Sequence, residues 1–226
     1  MIVIVGDSWG VGEWGNDAAG LTGPGIGQLL SISHTVANFS KGGSSNTLSL
    51  QTLSEFLKRY TPRLDGGKYD DVFYWIVTDP TRCISLEDIV NHQTTIEKKL
   101  VSVLDSTFQQ ADAIAKEHNL TIQVIGGICD LDPEWFESYS NLKLVVPSWG
   151  ILVNENYPSS IYDIRRWEEV GEHVKKYRPE LLKEWMQIAE LAAKKYDIWK
   201  DKGHHPDRYD HRKLRDYLYP TLTHLY

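Results

Sequence analysis

Two cysteines in 226 residues, Cys83 and Cys129, leave no room for a disulfide framework. Each falls at or near the end of an apolar run, which fits an inert, buried thiol. Neither takes part in a CxxC pair or a Cys/His zinc spacing. There is no basic excess either. The formal net charge is −7, so the chain lacks the cations that a general nucleic-acid binder uses against phosphates. The local run Lys175-Lys176-Tyr177-Arg178 reads as a solvated surface. No apolar stretch approaches the ~18 residues of a membrane span, and no repeat, low-complexity tract or long linker divides the sequence. The chain starts directly on an apolar strand, which predicts no leader peptide and synthesis in a cytoplasm.

What is present is a globular composition, 41% hydrophobic and 11% aromatic, consistent with one domain over residues 1–226. Five strands are predicted, at Ile2–Val5, Thr35–Phe39, Asp71–Val77, Thr121–Ile125 and Leu142–Val146. Leu53, Phe56, Leu57 and Tyr60 share one helical face. A longer helix is expected from about Leu86 to His118, with Ser85 and Asp88 as its N-terminal cap. A third helix is expected to begin near Pro179. Strands that alternate with helices predict an α/β fold, its mostly parallel sheet covered on both faces. Residues 9–27, with seven glycines, and residues 147–178, rich in Trp, Tyr and Pro, show little periodicity and read as loops walling a cleft.

Four polar clusters fall at the ends of these elements. Met1-Ile2-Val3-Ile4-Val5 breaks into Gly6-Asp7-Ser8-Trp9-Gly10, placing a serine just past the carboxyl end of a strand. Such a serine is either a helix cap or a nucleophile. The second cluster, Asn38-Phe39-Ser40-Lys41-Gly42-Gly43-Ser44-Ser45-Asn46, has adjacent glycines able to turn backbone N–H groups towards an oxyanion. The third is Val77-Thr78-Asp79-Pro80-Thr81-Arg82, at the end of the central strand. The fourth is the loop Asp201-Lys202-Gly203-His204-His205-Pro206-Asp207, followed by His211. A serine needs a neutral imidazole to take its proton, and the imidazole needs an acceptor on its other nitrogen. An aspartate a few residues before a histidine supplies that acceptor from one loop.

In this order the clusters resemble the SGNH (GDSL-type) hydrolase family. Gly6-Asp7-Ser8 matches its first block, Asn38 to Gly43 its second, and Asp201 with His204 or His205-Pro206 its last. The resemblance implies a single-domain, flavodoxin-like, three-layer α/β/α sandwich with a five-stranded parallel sheet. It also implies an esterase, lipase, thioesterase or carbohydrate deacetylase that needs no metal or organic cofactor. Ser8 would be the nucleophile, and its N–H and that of Gly43 would hold the oxyanion. Asp201 would orient the base. The partner would be a small-molecule or carbohydrate ester, with no role for nucleic acid or membrane. Eight tryptophans and twelve tyrosines would suit an O-acetylated sugar, although most aromatics serve the core.

Two departures stand out. The family's third block offers an asparagine amide to the oxyanion, whereas this chain has Thr78-Asp79. An ionised Asp79 has no proton to donate, so Thr78 with its one hydroxyl proton, or the amide of Asn46, is the better chemical substitute. The last block carries one residue too many. Asp-x-x-His selects His204, while the His-Pro pair selects His205. We favour His205, because proline fixes the turn after it, with Asp201 reaching across one inserted residue. The competing reading is a non-catalytic binding or structural module that retains the hydrolase fold.

Overall fold

A computed structural model of the chain describes residues 1–12, 23–60, 64–65, 68–69, 71–83, 85, 87–88, 95–127, 129–154, 156–157, 167–198, 202 and 205–222. Five strands form one parallel sheet: β1 (Ile2–Val5), β2 (Val36–Asn38), β3 (Val72–Val77), β4 (Ile122–Gly126) and β5 (Leu142–Val146). Their order is β2-β1-β3-β4-β5, which is the flavodoxin-like order. Every residue of β1 and β3 is buried, because a central parallel strand is covered on both faces. The edge strand β2 is only partly buried. A two-residue antiparallel ladder, Leu64–Asp65 with Lys68–Tyr69, stands apart from the sheet. The sequence pattern does not signal it.

The helices are α1 (Ser8–Val11), α2 (Ile26–Leu30), α3 (Asn46–Arg59), α4 (Ile96–Glu117), α5 (Trp149–Val153), α6 (Trp167–Tyr177), α7 (Leu182–Ile198) and α8 (Arg208–Leu222). α3 packs with α4, while α8 packs against α2 and α5, and the sheet completes a three-layer α/β/α sandwich. The main core joins all five strands to α3, α4 and α8. α6 and α7 pack on each other and bury Val170, Val174, Trp185 and Ile188 against Ile96 and Leu100 of α4. Among the described residues no helix is long and apolar enough to cross a membrane.

Two sequence expectations change. The long helix begins at Ile96 under its own cap, the Thr95 hydroxyl accepting from Lys98 N. Ser85 does cap locally, accepting from Asp88 N, but residues 89–94 between the two caps lie outside the described residues. Residues 149–153 and 167–177 are helical, not loop; in the sequence of α6, Trp167, Val170, Val174 and Tyr177 recur at helical spacing, and Val170 and Val174 are buried. His211, which follows the Asp201–Asp207 cluster, lies in the first turn of α8. Both cysteines are free, Cys129 buried and Cys83 only partly so.

Candidate active site

Strand register brings the first three clusters together. Val5 lies opposite Trp75 and Ile4 opposite Asn38, so the residues that follow β1, β2 and β3 leave the sheet side by side. This is the switch point at which ligands bind in such sheets, since β1 has β2 on one side and β3 on the other. Gly6 is required by this packing. A Cβ there would sit 2.9 Å from Ile76 Cβ.

Asp7 caps α1, its Oδ1 accepting from Trp9 N at 3.0 Å. The backbone beyond it therefore turns into a short helix, with Ser8 at its first position and buried. Ser8 Oγ lies 3.0 Å from Nε2 of His205, which is half-buried. The sequence separates them by 197 positions. No described group accepts from the amide of Ser8 or that of Gly43. Gly43 adopts φ +75°, a conformation that favours glycine, and the turn leaves it exposed.

The loop that carries His205 is anchored just beyond it. Asp207 caps α8, its Oδ1 accepting from Tyr209 N at 2.8 Å and Asp210 N at 3.1 Å. Asp210 Oδ2 accepts in return from Asp207 N. Lys202 Nζ closes the loop from the other side, 2.6 Å from Asp210 Oδ2 and 3.2 Å from Asp207 Oδ2. Burial draws the Lys202 ammonium down, but the hydrogen bond and charge of Asp210, with those of Asp207, outweigh it and hold the group above its ordinary value. His205 and Pro206 are thus held between the two ends of one clamp. Asp201 and His204 lie outside the described residues.

The residues expected to supply the third oxyanion donor do other work. Asn46 Nδ2 donates to Thr78 O at 2.9 Å, and its Oδ1 accepts from Thr78 N at 2.8 Å. It braces the start of α3 against the end of β3. The Thr78 hydroxyl gives its only proton to Asp7 Oδ2 at 2.6 Å, which leaves none for a substrate. Asp79 is fully buried and accepts from Thr81 N and Thr81 Oγ1, capping the turn Pro80–Cys83. Sequence reasoning also gave Arg82 no role. Its Nη1 donates to Asp7 Oδ2 at 3.2 Å and Ser44 O at 3.0 Å, tying the turns after all three strands together. Among the described residues, no group of three His, Cys, Asp or Glu is placed to hold a metal ion.

His211 is fully buried under this site. Its ring meets the edge of Trp149 at 4.9 Å between centroids, and Trp149 meets Trp9 at 5.6 Å. Neither ring nitrogen has a hydrogen-bond partner among the described residues. Burial pulls the imidazole down from 6.5 to about 4; the Asp207 charge opposes this and that of His205 reinforces it. The unfolded chain takes up this proton below pH 6.5 and the folded chain does not. Stability is therefore full above pH 6.5 and falls as the pH drops towards 4, by about 3 kcal/mol from this group. Urea titrations at pH 7.5 and 4.5 should show a smaller acid loss for His211→Leu than for wild type. Equal losses would disprove the assignment.

No family model matches this chain, and no curated protein matches it.

Proposed function

We propose that this chain is a serine hydrolase of the SGNH type that cleaves carboxylic esters through a covalent acyl-enzyme. What carries the reading is the 3.0 Å contact between Ser8 Oγ and His205 Nε2 at the β1/β3 switch point. A hydroxyl that far from an imidazole nitrogen is within reach for proton transfer. Gly-Asp-Ser at the end of the first strand and His-Pro near the chain's end supply the pair from opposite ends of the sequence.

In this mechanism Ser8 Oγ attacks the ester carbonyl while His205 Nε2 takes its proton. The tetrahedral oxyanion is held by the amides of Ser8 and Gly43. Collapse breaks the C–O bond, and His205 returns the proton to the departing alcohol. Water then attacks the acyl-Ser8 ester, giving up a proton to His205, and collapse releases the acid and restores the Ser8 hydroxyl. The resemblance assigns Asp201 the part of orienting the imidazole through its other nitrogen. Asp207 accepts from the α8 amides through Oδ1 and pairs with Lys202 through Oδ2, so its part is to anchor the loop.

A fluorophosphonate probe tests the reading directly. One probe should attach per chain, at Ser8 by peptide mass mapping, and prior treatment should abolish hydrolysis of 4-nitrophenyl acetate. Folded wild-type protein that takes no label, or takes it elsewhere with activity intact, would end the proposal.

A further inference from the structure

In the proposed mechanism the two amides that hold the oxyanion lie on separate turns. Each must stand about 2.7–3.1 Å from the same oxygen, so their spacing has to be fixed before substrate arrives. Ser8 is fixed locally, at the first position of α1 under the Asp7 cap. Gly43 is not. A Cβ built on it meets no described atom within 4 Å, so no described neighbour packs against that side of the residue. Its φ of +75° is therefore kept by what holds the two ends of its turn.

The upstream end is tied to β1 by backbone. Lys41 N donates to Gly6 O at 3.1 Å, and Ser44 N closes the turn on Lys41 O at 3.0 Å. At the downstream end the Ser44 hydroxyl lies 3.2 Å from Ser49 Oγ, which joins the turn to α3 but not to the Ser8 side. Arg82 supplies that link. Its Nη1 reaches Ser44 O at 3.0 Å, one residue after Gly43, and Asp7 Oδ2 at 3.2 Å, one residue before Ser8. Nη1 carries two N–H groups set at a fixed angle in the guanidinium plane, so binding both acceptors sets one relative to the other. The brace itself stands on the central strand, because Arg82 N donates to Asp79 O in the turn that follows β3.

We propose that Arg82 is a positioning residue for the oxyanion: through Nη1 it sets the spacing of the Ser8 and Gly43 amides without touching the substrate. This rests on the serine-esterase reading.

The test is kcat/KM for 4-nitrophenyl acetate, expressed per site labelled by fluorophosphonate at completion. Arg82→Gln, uncharged and ending short of Nη1, should lower it by about 100-fold, the scale of a reacting group misplaced by about 1 Å. Arg82→Lys keeps the charge beside Asp7 without the planar pair of N–H groups, and should lose roughly tenfold. Trifluoroacetone supplies the second readout. Ser8 Oγ adds to its carbonyl carbon, the hydroxyl proton passes to His205, and the negative oxygen is left between the two amides. Its inhibition constant should rise in each variant by the factor that kcat/KM falls.

A merely structural role would reduce the number of labelled sites and leave the rate per site and the inhibition constant at wild-type values, overturning the inference. A fall in rate with no matching rise in the inhibition constant would overturn it too, as would full recovery in Arg82→Lys, where charge alone would suffice. Should Arg82→Gln fail to fold by circular dichroism, Arg82→Lys carries the same test. Wild type that neither cleaves the ester nor binds trifluoroacetone ends the esterase reading and the inference with it. Wild type that does both, beside variants of unchanged rate and inhibition, ends the inference alone.

Discussion

Alanine at His205 is expected to cut hydrolysis of an activated ester by about four to six orders of magnitude, whereas alanine at His204 leaves it within about tenfold. His205 Nε2 sits 3.0 Å from the nucleophile oxygen. The loop is closed after it by proline and clamped by Lys202 across the two acidic residues that start α8. Ser8→Ala should match the His205→Ala loss, and the double variant should be no slower than either single one. Members of one proton-transfer unit are not additive, since removing either already leaves only background. Rates for the four variants, each checked for folding, decide the matter. An additive double variant would separate Ser8 from His205. A large loss at His204 with little at His205 would move the base to the Asp-x-x-His frame.

The part of this site that the sequence discloses is the part set by strand ends. Ile2–Val5 and Val72–Val77 are buried on both faces, so they appear as unbroken apolar runs, and whatever follows them must lie at one edge of the sheet. Ser8, Gly43 and Thr78 are found that way. Choosing His205 over His204 uses one further local rule, the proline after it. The hydrogen-bond partners are hidden for a different reason. Whether Thr78 donates to a substrate or to Asp7 depends on the register of β1 with β3, which joins residues about seventy apart. Residue type gives donor capacity but does not say where the proton goes. Arg82 was in view within its cluster and unassigned for the same reason. His211 did leave a signal: with Leu214, Leu218 and Leu222 it keeps the three- and four-residue spacing of one buried helix face. The polar residues around it masked that spacing.

Asp7→Ala is expected to cost about 3–5 kcal/mol of stability, because it strands the donors that converge on one fully buried carboxylate. Trp9 N loses its cap acceptor, worth about 1 kcal/mol. The Thr78 hydroxyl and Arg82 Nη1 lose their shared acceptor in a place that water reaches poorly. For a chain of this length the melting temperature should fall by roughly 10 °C. Asp7→Asn is the sharper probe. It preserves the volume and the oxygen that accepts from Trp9 N, but presents an amide N–H to the Thr78 hydroxyl and the guanidinium. Donor would face donor at the guanidinium, and the Thr78 hydroxyl would have to accept and leave its own proton without the carboxylate, so most of the cost should remain. If Asp7→Asn proved as stable as wild type, shape and not charge would hold this corner. A double-mutant cycle locates the effect: with Asp7 already alanine, Thr78→Val should be nearly free, since its hydroxyl no longer has a carboxylate to meet. The same variants should lose ester hydrolysis in step with the cap, because the turn that Asp7 fixes is the one that presents Ser8 to His205.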